Sequence, residues 1–569
     1  MILEDYKVET VSTNSGLDTL KVNGYFLHSK FNPLKESEKI IEKNYRPGHV
    51  HIIFGYGLGY IVQSFLEKME GDDKLVIIEP LFDVELEQDN VIVLSNIKNI
   101  EDIKQTLYSA ISIVDKFHII CSPNYDKVFP QFYKDFLKLL KDNLTVAKVN
   151  ENTIMYYGEQ WQKNYIMNLE YAVQDNSIIK LKDKYSCPVV VASGGPSLSK
   201  QLSTLKTYRK NIVLIAAGST INSLVSEGIE PDYVISIDGA AINYEHYNKI
   251  TLKNTSFVYT MSSFPKIREC FDTECFFALS PTDRTLQQHL SKMTNQESII
   301  LAGGGSCAHY ALTLALYLTS GPITLIGQDL AYTDNKSHAD NNVRVQKIDR
   351  EEMLNKGGIL VDGYDGDKVL TDYPFLGMKE TFERIISVSE DKDRVFNSTE
   401  GGAKIKGFSQ LSFKDFCENY CDEVITTSTV TKKENNVEKI LSLKEQIQKE
   451  IEVYKKLKKL LNVNEKLILS NTSKIAFSKS ILKKLDDNDN EFEDLAKKTA
   501  LTLSLDPIKI SVLKNFKPAP KESAEDSYKR VKTQNLTLYR EMNKAVDNII
   551  DYANILLEKI NQTYSEGNK

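Results

Sequence analysis

Val189-Val190-Val191-Ala192-Ser193-Gly194-Gly195-Pro196-Ser197-Leu198 constrains the fold more than any other stretch of this 569-residue chain. A β-branched apolar run passes into two glycines, a proline and a serine, and then into a segment of helical character. That order predicts a strand, a tight turn, and a helix whose first N–H groups are unpaired. Unpaired amides and the positive end of the helix dipole favour an anion, and glycines let a phosphate approach the main chain. Pro196 suits a first helical position. No Gly-Lys-Ser/Thr follows and the spacing is not Gly-x-Gly-x-x-Gly, so neither common nucleotide fingerprint is present. Two readings stay open: a ligand cradle at Gly194, Gly195, Pro196 and Ser197, or a turn that only joins strand to helix.

The neighbouring segments extend the pattern. Ile212 to Ser219 reads as a second strand ending in small residues, and Gly228 to Asp238 as a third ending in a carboxylate. Helix-length segments separate the three, which predicts a βαβαβ run and a parallel sheet. Ligands on such sheets lie at the carboxyl ends of the strands, so Gly194, Gly218 and Asp238 are expected on one rim. Later strands are expected at Ser298–Gly303 and Pro322–Asp329, with a helix over about Cys307 to Leu318. Ser298 to Gln328 holds no Asp, Glu, Lys or Arg, but Gly303-Gly304-Gly305-Ser306 and Ser320-Gly321-Pro322 interrupt it. It reads as the buried centre of the sheet, not as a membrane span, which needs about 20 continuous apolar residues. The turn at Gly304 and Ser306 either holds a nucleotide or packs tightly. A polar stretch from Tyr332 to Thr371 follows and is expected to form a lid or substrate loop.

The fold class is therefore α/β, in three regions: a Rossmann-like domain over 1–175, a central parallel-sheet domain over 176–410, and a helical domain over 411–569. In the first, His49 to Tyr60 carries Gly55-x-Gly57-x-Gly59 after a strand, and Lys74 to Glu79 is a strand ending in an acid. This is the dinucleotide or S-adenosylmethionine pattern, or simply a turn that needs glycines. In the last, Ile440, Leu443, Ile447, Ile451, Tyr454, Leu457 and Leu461 form one apolar stripe. Tyr539, Met542, Val546, Ile549, Ala553, Leu556 and Ile560 form another, for packing or for a partner. Pro518 and Pro520 mark a linker between helices. A net charge of −7 gives no nucleic-acid footprint. Seven cysteines without a Cys-x-x-Cys spacing, and no basic-apolar leader at the start, fit a cytoplasmic protein without a disulfide framework or zinc ribbon.

Several short motifs in order make the chain resemble the motility-associated factor (Maf) flagellin glycosyltransferases along nearly its whole length. They are Leu27 to Glu36, Ser193-Gly194-Gly195-Pro196-Ser197-Leu198, Gly228-Ile229-Glu230-Pro231-Asp232, Ile237-Asp238, Gly327 to Tyr332 with Ser337-His338-Ala339, and Asn397 to Ala403. The glycine loop departs slightly, with Ser193-Gly194-Gly195 where Gly-x-Gly-Pro-Ser is the common form. The resemblance implies a core similar to bacterial sialyltransferases and a metal-independent, inverting-type transfer. The reaction it implies moves a nonulosonic acid, such as pseudaminic or legionaminic acid, from a CMP-activated donor to Ser/Thr hydroxyls of flagellin, with no cofactor required.

The residues accommodate that chemistry. A glycine turn at a helix start stabilises the charge of a single leaving phosphate. Asp238 bonds a ribose or cytosine group, orients other residues, or caps the next helix. An acceptor alcohol must lose its proton, which suits a histidine, and His338 lies nine residues after Asp329 in the polar stretch. The related sialyltransferases imply a base histidine in a comparable place. Asp329 and Tyr332 complete the catalytic candidates, Tyr332 either donating to the leaving phosphate or packing in the core. His309 reads as a buried or capping residue, and Glu400-Gly401-Gly402 as shaping the acceptor side. Two other readings remain. A 6-hydroxymethylpterin pyrophosphokinase shares the Gly-Pro-Ser-Leu and Pro-Asp signatures and would need clustered carboxylates for magnesium. A non-catalytic flagellin-binding protein would keep only the fold.

Overall fold

The computed structural model describes residues 6–70, 73–97, 103, 116–425, 436–473, 475–519 and 522–565. They divide into two compact units, Met1–Glu151 with Ala519–Lys521, and Asn152–Pro518 with Glu522–Lys569.

The first unit opens with an antiparallel sheet of β1 (Val8–Ser12), β2 (Asp18–Val22) and β3 (Tyr25–Phe26). Its second sheet is parallel, with β4 (His49–Phe54), β5 (Lys74–Glu79), β6 (Val91–Ser95) and β7 (Lys116–Cys121) in the order β6-β5-β4-β7. Both strands expected around the Gly-x-Gly-x-Gly stretch are present. Leu27 to Glu36 forms the entry to the helix Pro33–Asn44, where the Asn32 side chain accepts the Lys35 N–H and Glu36 accepts the Ser29 N–H.

The second unit is built on a nine-stranded sheet. Its strands are β8 (Asn176–Ser177), β9 (Val189–Ala192), β10 (Val213–Ala217), β11 (Tyr233–Ser236), β12 (Ser256–Thr260), β13 (Cys275–Ala278) and β14 (Ile323–Ile326). A two-stranded hairpin, β15 (Ile359–Asp362) and β16 (Lys368–Thr371), precedes β17 (Val395–Asn397) and β18 (Ser409–Gln410). The order β18-β17-β14-β9-β10-β11-β12-β13-β8 is parallel throughout and places β9 in the interior, between β14 and β10. A parallel sheet is covered on both faces, which explains the continuous apolar runs. Val190, Ala192, Leu214 and Ala216 point into one core, shared with the helices Leu198–Thr207, Val437–Ser470 and Ala524–Ser565. Val189, Val191, Val213 and Ile215 point into the other, shared with Cys307–Leu318 and Tyr373–Ser387.

Every residue of the two apolar stripes in the C-terminal helices is buried, so these faces pack rather than await a partner. Pro520 lies outside the described residues. The helix Cys307–Leu318 has the expected limits. The strand expected at Ser298–Gly303 does not form: β8 already flanks β13, and Ile300 makes only an isolated bridge to Leu279 beyond that strand's end. The stretch from Tyr332 to Thr371 is not an open loop, since it contains the helix Arg350–Asn355 and the β15–β16 hairpin. All seven cysteines carry free thiols. Among the described residues no helix is long and apolar enough to cross a membrane.

Candidate active site

The chain leaves β9 and turns at Gly194-Gly195-Pro196-Ser197, but most of the amides there are not free. Gly195 N–H donates to the Gly327 carbonyl at 2.8 Å. Ser197 N–H lies 3.2 Å from both oxygens of the Asp329 carboxylate, and Ser197 Oγ donates to Oδ1 at 2.6 Å. The helix begins at Leu198, two residues after Pro196, through a turn in which Leu198, Ser199 and Lys200 each bond three residues back. Asp329 is fully buried, and burial raises its carboxyl above the ordinary range. A Cβ on Gly195 would lie 2.1 Å from Asp329 Oδ2. Gly195 and Ser197 thus receive this chain's own carboxylate where an anion was expected, and Asp329 holds the turn together. Gly401 and Gly402 close in on the same pair, against Ser197 and the Asp329 main chain.

Gly194 is different. Its N–H has no partner among the described residues, its carbonyl accepts from Ala339 N–H at 2.9 Å, and a Cβ there would approach Asn342, Thr220 and His338 at 3.2 to 3.8 Å. The loop from Ser337 to Gln346 lies over this point and is tied at its ends. Ser337 N–H donates to the Gln346 carbonyl at 3.0 Å, and Gln346 N–H to Ser337 Oγ at 2.9 Å. Asp340 N–H reaches Ser199 Oγ, Ser223 Oγ reaches the Asp340 carbonyl, and Asn342 reaches Ser219. His338 is therefore held beside Gly194 by the tips of β9 and β10.

The protonation of His338 follows from its neighbours. His338 Nδ1 lies 3.1 Å from Ser337 Oγ, whose hydroxyl also reaches the Arg344 carbonyl at 3.2 Å. In the tautomer with Nδ1 protonated, Nε2 carries the lone pair. Burial first, and the Arg344 charge second, lower the imidazole pKa below its ordinary 6.5, which keeps the ring neutral at neutral pH.

Gly218 and Asp238 meet at the same rim. Gly218 has φ +53, and a Cβ there would lie 3.1 Å from Cys307 Sγ and 3.7 Å from Asp238 Oδ2. The Cys307 thiol faces Asp238 Oδ2 at 3.5 Å, and burial raises the pKa of both groups. Asp238 caps no helix: the turn Ala241–His246 starts from Ala240 without a side-chain cap.

The remaining candidates have other duties. Tyr332 donates its hydroxyl proton to Asp372 Oδ2 at 2.7 Å, and Asp372 caps the helix Tyr373–Ser387. Ser306 caps the helix Cys307–Leu318 by accepting from Ala308 N–H. A Cβ on Gly304 would meet Thr381 at 3.1 Å and His309 at 3.4 Å, so that turn packs against the helix carrying Thr381. His309 is buried, bonds the Met378 carbonyl through Nε2, and is lowered to about 4 by burial. Arg344 was not singled out from the sequence. Its guanidinium bonds Asn243 Oδ1, and its charge acts on His338, His246 and Asp238. The available signal was a lone arginine six residues after His338.

The glycine loop of the first unit is closed in the same manner. Glu79 accepts the N–H groups of Tyr56 and Gly57 and the Tyr125 hydroxyl on one oxygen, and those of Leu81 and Phe82 on the other. Gly55 faces the Tyr125 ring, Gly57 faces His28, and His28 Nε2 accepts the Leu58 N–H. Glu79, the acid that bonds a ribose in the dinucleotide pattern, is here taken up by its own loop and Tyr125.

Residues 163–335 match the family model described as 6-hydroxymethylpterin diphosphokinase MptE-like. Two proteins of Treponema pallidum (strain Nichols), each described as uncharacterized, are similar in part. One is 23% identical over 121 residues, 21% of this chain and 57% of the relative, so the chain spans just over half of that relative's length. The other is 22% identical over 219 residues, 35% of this chain and 73% of the relative. Among solved structures, the Maf glycosyltransferase from Magnetospirillum magneticum AMB-1 covers 98% of this chain and 92% of its own, at a TM-score of 0.51 and 14% identity. The chain has that fold along its length, and the MptE-like family belongs to the same fold group.

Proposed function

We propose that this chain is a glycosyltransferase that moves a nonulosonic acid from a CMP-activated donor to Ser/Thr hydroxyls of flagellin, as the motif resemblance implies. One observation carries the reading: the His338 imidazole, its pKa lowered by burial, is held beside Gly194 at the strand tips. The whole-chain likeness to a Maf glycosyltransferase supports it. In this reaction His338 Nε2 takes the proton of the acceptor hydroxyl as its oxygen bonds the anomeric carbon. The bond from that carbon to the phosphate oxygen breaks, and CMP leaves with the electron pair. Gly194 N–H is the one amide of the turn free to face the leaving phosphate. Asp329 keeps the turn in shape and touches neither substrate.

The pyrophosphokinase reading is favoured by the family match over 163–335. It requires clustered carboxylates for magnesium, whereas Asp329 is spent on Ser197 and Asp238 on Cys307. The residues present do not fit that site. Thermal shift with CMP and with ATP plus magnesium separates the two readings. Intact-mass analysis of flagellin incubated with the protein and a CMP-activated nonulosonic acid then tests the transfer. Stabilisation by ATP and magnesium alone, with no mass gain on flagellin, overturns the proposal.

A further inference from the structure

At the strand-tip rim, Arg344 carries a positive charge that no ion pair takes up. Arg344 is exposed, its guanidinium bonds only the neutral Asn243 Oδ1, and it has no ion-pair partner among the described residues. Two lysines of the same region are engaged, Lys200 with Asp334 at 3.0 Å and Lys336 with Asp340 at 2.8 Å. Arg344 is also placed, not loose. Its backbone N–H donates to Asn342 Oδ1 at 2.9 Å, Asn342 is tied to Ser219, and its carbonyl accepts from Ser337 Oγ. His246, buried with no partner for Nε2 among the described residues, lies within reach of its charge. The turn itself has little to offer an anion, because the Gly195 and Ser197 amides are already bonded to Gly327 and Asp329. Any anionic group docking over Gly194 needs a countercharge from outside the turn.

We propose that Arg344 recognises the anionic group of the substrate at this site, a phosphate or a carboxylate, and so selects an acidic donor over a neutral one. The identity of the donor rests on the glycosyltransferase reading; the anion site does not. A planar guanidinium matches the paired oxygens of either group, which a lysine ammonium does not. Asn243 holds one edge of the fork and leaves the other donors for the ligand.

Calorimetric binding to the full chain tests this with CMP against cytidine, AMP against adenosine, and a free nonulosonic acid. Wild type is expected to bind a nucleotide more tightly than its nucleoside if Arg344 takes phosphate, or to bind the sugar acid if it takes carboxylate. Arg344→Gln should weaken that arm by about 10–100-fold, the usual cost of a charge-assisted contact, and leave the nucleosides unchanged. Arg344→Lys should recover only part of the loss. A preference for AMP over adenosine without one for CMP over cytidine sinks the cytidine donor and keeps the anion site. Equal losses for nucleotides and nucleosides, an unchanged Arg344→Gln protein, or no anion-dependent binding by wild type in any arm overturns the Arg344 assignment.

Discussion

Ser197 donates its hydroxyl to Asp329 at 2.6 Å and offers its backbone N–H to the same carboxylate at 3.2 Å. In the other unit Tyr56 and Gly57 offer their backbone N–H groups, and Tyr125 its hydroxyl, to Glu79. Both glycine loops therefore bend around a carboxylate of their own chain, and in the loop of the second unit only the Gly194 N–H is left for a ligand. The chemistry at the strand tips accordingly falls mostly to side chains on the loop from Ser337 to Gln346 rather than to a cradle of free amides.

Removing the carboxylate should cost stability. Asp329→Ala leaves the buried Ser197 N–H and hydroxyl without an acceptor, at about 1–3 kcal/mol for each group. Urea unfolding monitored by far-UV circular dichroism should show a lower midpoint with little change in slope. An unchanged midpoint would mean that water or another residue replaces Asp329 freely.

Two adjacent glycines should behave in opposite ways. Gly195→Ala places a methyl 2.1 Å from Asp329 Oδ2 and 2.5 Å from the Gly327 carbonyl, so the protein should be destabilised or fail to fold. Gly194→Ala approaches only Asn342, Thr220 and His338, at 3.2 Å or more, and should fold. It should instead weaken CMP binding and slow transfer, because the methyl enters the space under His338. A stable Gly195→Ala protein, or a Gly194→Ala protein with wild-type transfer, would contradict this division.

The sheet and helices were legible where one residue type dominates a face. Val189–Ala192, Val213–Ala217, Tyr233–Ser236 and the stripes over Ile440–Leu461 and Tyr539–Ile560 are apolar because each is buried against a continuous core. Ser298–Gly303 looked equally strand-like, yet its outcome depended on β8 having taken the flank of β13, a long-range pairing that no local pattern reports. The site was half legible. Gly194, Gly218, Asp238 and His338 follow from strand ends and loop position. That Asp329 and Glu79 fold back onto their glycine loops is a matter of rotamer and register. Arg344 acquires meaning only when the loop lies over Gly194.

Acid should unfold both units through buried histidines. His28 and His51 in the first unit, and His246 and His309 in the second, are held down to about 4 by burial. The unfolded chain binds protons near the ordinary 6.5, so between 6.5 and about 4 it holds more protons than the folded one. Stability present above 6.5 is therefore lost as pH falls through that window, by about 1.4 kcal/mol per unit and per group. The raised carboxyls of Asp238, Asp283 and Asp329 act in the opposite sense. His309→Gln, which can still donate to the Met378 carbonyl, isolates the histidine effect. Its thermal midpoint should fall less steeply with acid than that of wild type, and parallel curves would refute the assignment.

His338 gives the most direct test of the chemistry. Its ring lies beside Gly194 with Nδ1 3.1 Å from Ser337 Oγ, and burial lowers its pKa, which suits it to accept a hydroxyl proton. His338→Ala should reduce sugar transfer to flagellin by about 10²–10⁴-fold, the usual contribution of a general base, while CMP binding survives. The wild-type rate should rise with pH through a value below 6.5 and be level above it, since burial and the Arg344 charge both hold the ring neutral. Arg344 and His246 are the titratable neighbours that act across this loop. Arg344→Gln removes the nearby positive charge and should move the rising limb toward 6.5, even where its binding loss is overcome by saturating donor. Transfer followed by intact mass from pH 4.5 to 8.5, a range spanning the shifted and ordinary histidine values, reads all three proteins. A His338→Ala protein with near-normal rates and the wild-type pH profile would remove His338 as the base and leave Asp238 as the next group to test.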